Sequence, residues 1–519
     1  MESKAHEEQE IRGTRRLRGF VASLLALARR KPAPRAVARL RRRRANKRGV
    51  ALLMVLSAIT VLAIFLSELQ EQTSADLSAA LAERDVLRAE YAARSALNLS
   101  RMLIASEPVV TQPLAMLRQF VKAIPPQIPI WLYSDVLLGP FNDPGAQAAF
   151  GTAAGLDFAT AKNVGLNGAA FRIKIVDEEG MPVNANLASG VGTPNAQVAL
   201  ASTFMQALAG PQYDPLFDNN DADGQFSDRM AICSALLDFS DWDENLGSCN
   251  VTGAPPSGAE DNFYQTIGLP YMRKNAAFDS LEELRMVRGF SDDFWATFVD
   301  PDPADPSQRR VTVWGRDKVN PNSMSPMGLY IFICQNAVPG SSPLCDVPTD
   351  PSNPTGSPAQ QFLMALQMMK SILPPGVPYV GSANDLIKSL KGTSQSPLGM
   401  VLTMAGVPMP AVTIRSESEF KKRIDMKSRI FSIYGEGIVK GFFRETRVRI
   451  HAVVDMRDAG APPGVDMNSL TGSGAGGTGG AGGAGNTGST SLTPQAALGS
   501  PEDQLGKDPG GRIIYWRIE

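Results

Sequence analysis

Seventeen consecutive residues, Val50–Leu66 (VALLMVLSAITVLAIFL), carry no charge, proline or glycine. At 1.5 Å per residue a helix of that length spans about 26 Å, close to the ~30 Å hydrocarbon core of a bilayer. Directly before it, the eight residues Arg41–Arg48 hold six positive charges. A soluble core helix is rarely apolar on every side and seldom begins against such a cluster, so the run reads as a transmembrane helix. The Lys/Arg side is expected in the cytoplasm, which places everything after residue 66 across the membrane. Ser67-Glu68-Leu69-Gln70-Glu71 offers no small-x-small cleavage site after the run, so it is expected to be retained as an anchor.

The helix signal continues beyond the apolar run. From Val50 to Glu107 there is neither glycine nor proline, and residues 67–107 are rich in Ala, Leu, Glu and Arg. Glu90 and Arg94 stand at i,i+4, while Val86, Ala89, Ala93, Leu97 and Ile104 form an apolar stripe. The reading is one helix of roughly 85 Å, with its first part in lipid and its second part on a folded domain. That is the shape of a pilin subunit.

Charge supports the partition. The whole chain is nearly neutral, with 51 basic and 52 acidic side chains, but residues 1–49 hold 16 Lys/Arg against four Glu. The remainder carries a net charge of −13, which disfavours nucleic acid as its partner. Two histidines, His6 and His451, make Ser-His-Asp hydrolysis and HExxH zinc chemistry hard to build. No enzyme is expected.

A series of motifs follows in order. Lys47-Arg48-Gly49 precedes Val50-Ala51-Leu52-Leu53-Met54; Phe171–Asn186 reads as an alternating strand, an acidic turn and a short return strand. Next come Leu236–Asp243 (LLDFSDWD), Gly258–Tyr264 (GAEDNFY), Lys274–Gly289 (KNAAFDSLEELRMVRG), Val311–Gly315 and Lys318–Asn322. Together they resemble the minor pseudopilin K of type II secretion, general secretion pathway protein K, over roughly residues 44–335 and 415–450 and the last nine residues. The resemblance implies that a prepilin peptidase cuts between Gly49 and Val50 and methylates the new N-terminus. It also marks Met54, at mature position five, where most pseudopilins carry Glu. A buried Glu in lipid needs a cationic partner, such as a neighbouring subunit's N-terminus, so a subunit lacking it suits the tip of a filament. Two departures are a leader of 49 residues, longer than usual, and Phe239 where the family has Trp.

The implied fold class is α+β: a pilin-like long N-terminal helix packed on a small antiparallel sheet, with a large inserted helical domain of SAM-like or helix-hairpin-helix-like type. The expected division is a basic cytoplasmic leader at 1–49, the membrane helix at 50–66 and its periplasmic extension at 67–107. The first part of the pilin-like domain follows at 108–200, the insert at 201–415, and the closing strands at 416–519 with a Gly-rich disordered loop at 471–491. Implied partners are other minor pseudopilins of the I and J types, the major pseudopilin, the prepilin peptidase and the inner-membrane assembly platform, with the secretin or secreted substrate beyond them. The implied location is the inner membrane, single-pass, with the body in the periplasm and, after processing, in the pseudopilus. A rival reading is a single-pass periplasmic adaptor that is never cleaved.

Three further features carry local expectations. Asn219, Asp221 and Asp223 occupy positions one, three and five of a calcium loop when Gly224 is placed at six, although position twelve is Met230. The resemblance implies structural calcium in this region, with Asp241, Asp243, Glu260 and Asp261 as further oxygen donors. Cys233, Cys249, Cys334 and Cys345 fall as two local pairs; three connectivities are possible, and the local one suits an oxidising compartment. Residues 280–297 could form a helix-hairpin-helix, with Ser280 as cap and Leu281, Leu284 and Val287 on the apolar face. Its turn, Gly289-Phe290-Ser291-Asp292-Asp293, has one glycine and two carboxylates, which suits a protein contact better than a phosphate. Met364, Met368 and Met369 are expected in a helix core, and His451 in a strand.

Overall fold

The computed structural model describes residues 48–111, 126–142, 169–190, 194–218, 226–249, 262–315, 318–346, 357–372, 377–378, 380–392, 398–399, 402, 411–441, 444–459 and 508–518. The leader, the acidic positions 219–223 and 260–261, and the Gly-rich loop lie outside these residues. The chain divides into two units, Met1–Leu81 and Ala82–Glu519.

Helix α1 runs unbroken over Arg48–Ala105. Pro108 lacks the amide that a further turn would need, and the last turn closes through Ser106 N–H donating to the carbonyls of Met102 and Leu103 at 3.0 and 3.1 Å. In the first unit α1 is exposed along its length and is long and apolar enough to cross a membrane. The Ser57, Thr60 and Ser67 hydroxyls donate to carbonyls three residues back, at 2.9, 2.9 and 2.8 Å, so the hydroxyls of the apolar run are satisfied within the helix.

The second unit holds a four-stranded sheet of order β1-β4-β5-β6, every neighbouring pair antiparallel: β1 is Ala169–Asp177, β4 Ile430–Lys440, β5 Glu445–Asp455 and β6 Arg512–Ile518. Alternation along β1 turns Phe171, Ile173 and Ile175 toward the helix and leaves Arg172 and Lys174 outside, where Lys174 pairs with Asp305 at 3.0 Å. Leu97 and Ile104 of α1 pack with these strand residues and with Phe431, Ile433, Ala452 and Val454. Higher on the helix, Ala89, Ala92, Ala93 and Ala96 are fully buried. Small residues there let two backbones meet: a Cβ at Gly437 of β4 would lie 1.8 Å from the Ala89 carbonyl oxygen, and one at Gly435 2.8 Å from that of Ala93. The stripe thus lies one turn-face away from the expected one at its start, since Val86 is 40 % exposed.

Between β1 and β4 the chain is mainly helical, with α2 at Pro194–Ala207, α3 at Arg229–Ser240, α4 at Pro326–Asn336, α5 at Pro358–Ile372 and α6 at Ala383–Leu390. Two apolar clusters serve this stretch. The first gathers Phe204, Phe217, Phe239, Phe294 and Phe298 and reaches Ile430 and Val453 on the far face of the sheet. The second gathers Phe332, Phe362, Leu366, Leu386 and Phe420.

Several local expectations change. Val183-Asn184 (β2) is not a return strand on β1; it pairs in parallel with Val311-Thr312 (β3), because the acidic turn carries the chain off the sheet. Ser280 makes no capping hydrogen bond, and Leu281–Met286 is a 3₁₀ turn rather than an α-helix, though Leu281, Leu284 and Val287 are buried as the pattern requires. Of the three methionines in α5 only Met369 is core; Met364 and Met368 lie on its solvent face. His451 is a buried strand residue, stacked on Tyr434 at 4.2 Å and 3.2 Å from the Ser432 hydroxyl; burial depresses its pKa to about 2, so the ring is neutral.

The acidic turn after β1 is buried. Glu178 accepts from the Arg309 guanidinium at 2.7 Å, from Thr312 Oγ1 at 2.6 Å and from the Ser432 hydroxyl, and both charged side chains of the pair are almost wholly enclosed.

Two outcomes are expected in thermal denaturation of the detergent-solubilised protein. Gly437→Ala forces the helix off the sheet and lowers stability by about 1–3 kcal/mol, whereas Gly139→Ala, with nothing near its added methyl, changes it by less than about 0.5 kcal/mol. Glu178→Gln leaves the Arg309 charge buried without its counter-ion and costs about 3–5 kcal/mol.

Candidate functional site

Two regions carry the sequence-derived candidates. At the N-terminal one, Gly49 and Val50 lie in the first turn of α1, and Val50 and Met54 are exposed at 59 % and 68 %. From Val50 to Leu66 the helix offers only apolar side chains and back-bonded hydroxyls, so position 54 presents a thioether where a carboxylate would need an ionic partner.

The second region is built at the end of α3. Asp228 caps its start, accepting from the Ala231 amide at 2.7 Å, and the Cys233–Cys249 disulfide ties the helix to the loop that follows it. The other bond is Cys334–Cys345, and no free cysteine remains. Met230, the residue at position twelve of the calcium-loop pattern, sits in the first turn of α3 and supplies no carboxylate.

At the C-terminal end of α3, Asp238 and Asp241 are both buried. Asp238 accepts from the Gly247 amide, and Asp241 receives one long contact, from Gln197 Nε2 at 3.4 Å. Burial first and Asp241 nearby push the Asp238 carboxyl up to about 7; burial and Asp243 push Asp241 up to about 6. Asp241 Oδ1 is buried with no hydrogen-bond partner. The helix's own C-terminal carbonyls add partial negative charge to the same place. A crowded, desolvated set of oxygen atoms with an orphaned acceptor is the donor chemistry that a hard divalent cation satisfies. Asp243 is exposed, and its backbone carbonyl accepts from Arg273 Nη1 at 2.8 Å. The structure therefore brings Asp241 beside Asp238, a donor that sequence reasoning passed over although it stands in the same LLDFSDWD motif. Its signal was spacing: Asp238 lies in the last turn of α3, close in sequence to Asp241, which caps the helix end. Asn219, Asp221, Asp223, Glu260 and Asp261 lie outside the described residues, and among the described residues no three ligating side chains converge.

The segment proposed to contact protein is held by cation–aromatic packing. Arg285 lies over the Trp295 ring at 4.2 Å and Arg288 over Phe263 at 4.6 Å, while Gly289, at φ +83°, lets the turn press on Ile232. Arg285 also pairs with Asp292.

If the buried carboxylates take calcium, titration of the purified protein with calcium raises its melting temperature, and Asp241→Ala removes most of that rise. An equal rise in the variant places the ion elsewhere.

Residues 195–298, which include α2, α3 and this carboxylate pair, match the sequence family described as Type II secretion system (T2SS), protein K. No curated protein matches the chain. Among solved structures, the chain is similar to one in the GspK–GspI–GspJ complex of the type 2 secretion system from enterotoxigenic Escherichia coli, at 14 % identity and a TM-score of 0.31, over 56 % of this chain and 75 % of that one. The protein K match falls on the motif series that carries the resemblance in sequence, from LLDFSDWD through KNAAFDSLEELRMVRG, and shows that this part of the chain is similar to protein K of the type II secretion system.

Proposed function

We propose that the chain is the minor pseudopilin at the tip of a type II secretion pseudopilus, where it starts pseudopilus assembly and helps folded proteins leave across the outer membrane. The observation that carries the reading is the union of two features in one chain: a membrane-length helix that continues without a break into the helix of an α+β domain, and a protein K domain at residues 195–298. Met54 supports the tip position, because a subunit without a carboxylate at mature position five offers the next subunit's ammonium no partner in lipid. The body then lies in the periplasm, with I- and J-type minor pseudopilins as its nearest partners and the major pseudopilin below. Its role is structural, without catalysis of its own, and calcium at the end of α3 would brace the loops there.

The −13 charge of residues 50–519 and the two disulfides agree with an oxidising compartment and with a partner that is neither nucleic acid nor the anionic cytoplasmic leaflet. The uncleaved adaptor is separated by mass spectrometry of the mature protein from its native host. The expected first residue is N-methylated Val50; an intact leader, or an unmodified or different first residue, overturns the pseudopilin reading.

A further inference from the structure

The chain leaves the sheet at the end of β1 and returns to it at the start of β4, and these two points are adjacent, since Asp177 pairs with Phe431. The turn Asp177-Glu178-Glu179 binds the departing chain to the returning one. Asp177 accepts from the Glu179 amide at 2.9 Å and from the Ser428 hydroxyl. Glu179 accepts from the Arg429 amide at 2.6 Å, and its own carbonyl accepts from the Asn320 amide at 2.8 Å. Asn320 Nδ2 donates to the Ser428 hydroxyl at 2.8 Å, and Gln127 spans the Ser428 backbone with bonds of 3.0 and 2.7 Å. The two carboxyls thus hold the 423–429 stretch to the turn, while Asn320 and Gln127 bind the 319–323 and 126–128 stretches to the turn's backbone and to Ser428.

We propose that Asp177 and Glu179 form a proton-operated clasp at this exit and return point, closed when the carboxyls hold protons and loosened when both are ionised. The geometry supplies the reason. Asp177 and Glu179 are both buried, yet among the described residues neither has a cation within salt-bridge distance, whereas Glu178 between them is neutralised by Arg309. The charges facing the clasp are mixed: Asp425 and Glu178 repel a second anion, while Arg429 and Arg457 are close enough to moderate it, and Arg457 is already paired with Asp455. Burial pushes the Asp177 carboxyl up to about 6, and burial together with Asp177 pushes Glu179 up to about 8. Asp177 also lines a cleft of about 730 Å³, which gives protons a route to solvent.

The sign follows from the direction of these shifts. Both folded values stand above those of an unfolded carboxyl, so the folded clasp binds protons more tightly than the open chain does. Its stabilisation is fullest at low pH and is lost as pH rises through about 6 and then about 8. The helical stretch stays attached through Ile430 and Val453, so loosening is local to the clasp. The device is independent of the pseudopilin reading.

Amide hydrogen exchange of the full chain in detergent, divided by the intrinsic rate at each pH, tests it. Between pH 6 and pH 8.5 the protection of amides 319–323 and 425–429 should fall at least about tenfold, while α4 holds steady. Glu179→Gln, which keeps an acceptor for the Arg429 amide, should flatten that dependence to within about twofold. If α4 also loses protection in this variant, Glu179→Ala, which likewise removes the titrating carboxyl, is read in the same way. A wild-type change below twofold, or the same tenfold fall in the variant that folds, overturns the proposal.

Discussion

Glu178 and Arg309 meet where the chain steps off the sheet, and the architecture hangs on that buried pair. β1 and β4 are neighbours in space but not in sequence, so the helical stretch between them must start and finish at one end of the same strand pair. The pair, with Thr312 and Ser432 completing the carboxylate's bonds, ties β1, β3 and β4 together at that end. A buried ion pair is a poor source of net stability compared with packed hydrocarbon, but removing one partner strands the other charge. Its contribution is therefore to specify which segments meet.

The helix–sheet seam works by a different rule. Glycine on β4 and alanine on α1 remove side chains from the contact, so the helix backbone rests almost directly on the sheet. Further along, Leu97 and Ile104 restore bulk and fill the space over Phe171, Ile173 and Phe431, with Trp131 packed edge-on to Phe431 at 4.7 Å between ring centres. The helix that must be uniformly apolar in its first part is thus sharply patterned in its second.

Much of this was legible in the residues. The absence of glycine and proline after Gly49 foretold one long helix, and alternation in Phe171–Asp177 and Arg447–Val454 foretold strands. Less was legible where tertiary contacts override local pattern. Val183-Asn184 has strand character, but its partner is set by the buried turn before it, which no local rule reveals. Val86 fits a helical stripe by spacing and still faces outward, because the face turned to the sheet runs through Asp85 and Ala89 instead. At the carboxylate site, Asp241 and Asp243 stood out by type, whereas Asp238 is marked by its burial in the last turn of α3, near the capping Asp241.

The three buried acids at the sheet's end and the two at the end of α3 obey one principle with different answers. A desolvated carboxylate has to find a cation, hold a proton, or stay destabilised. Glu178 has Arg309. Asp177 and Glu179 lack such a partner and are pushed toward the protonated form, which couples the fold to pH. Asp238 and Asp241 are pushed the same way, with an orphaned Asp241 oxygen at the end of α3. These five carboxyls thus divide between a guanidinium partner for Glu178 and a shift toward the protonated form for the other four.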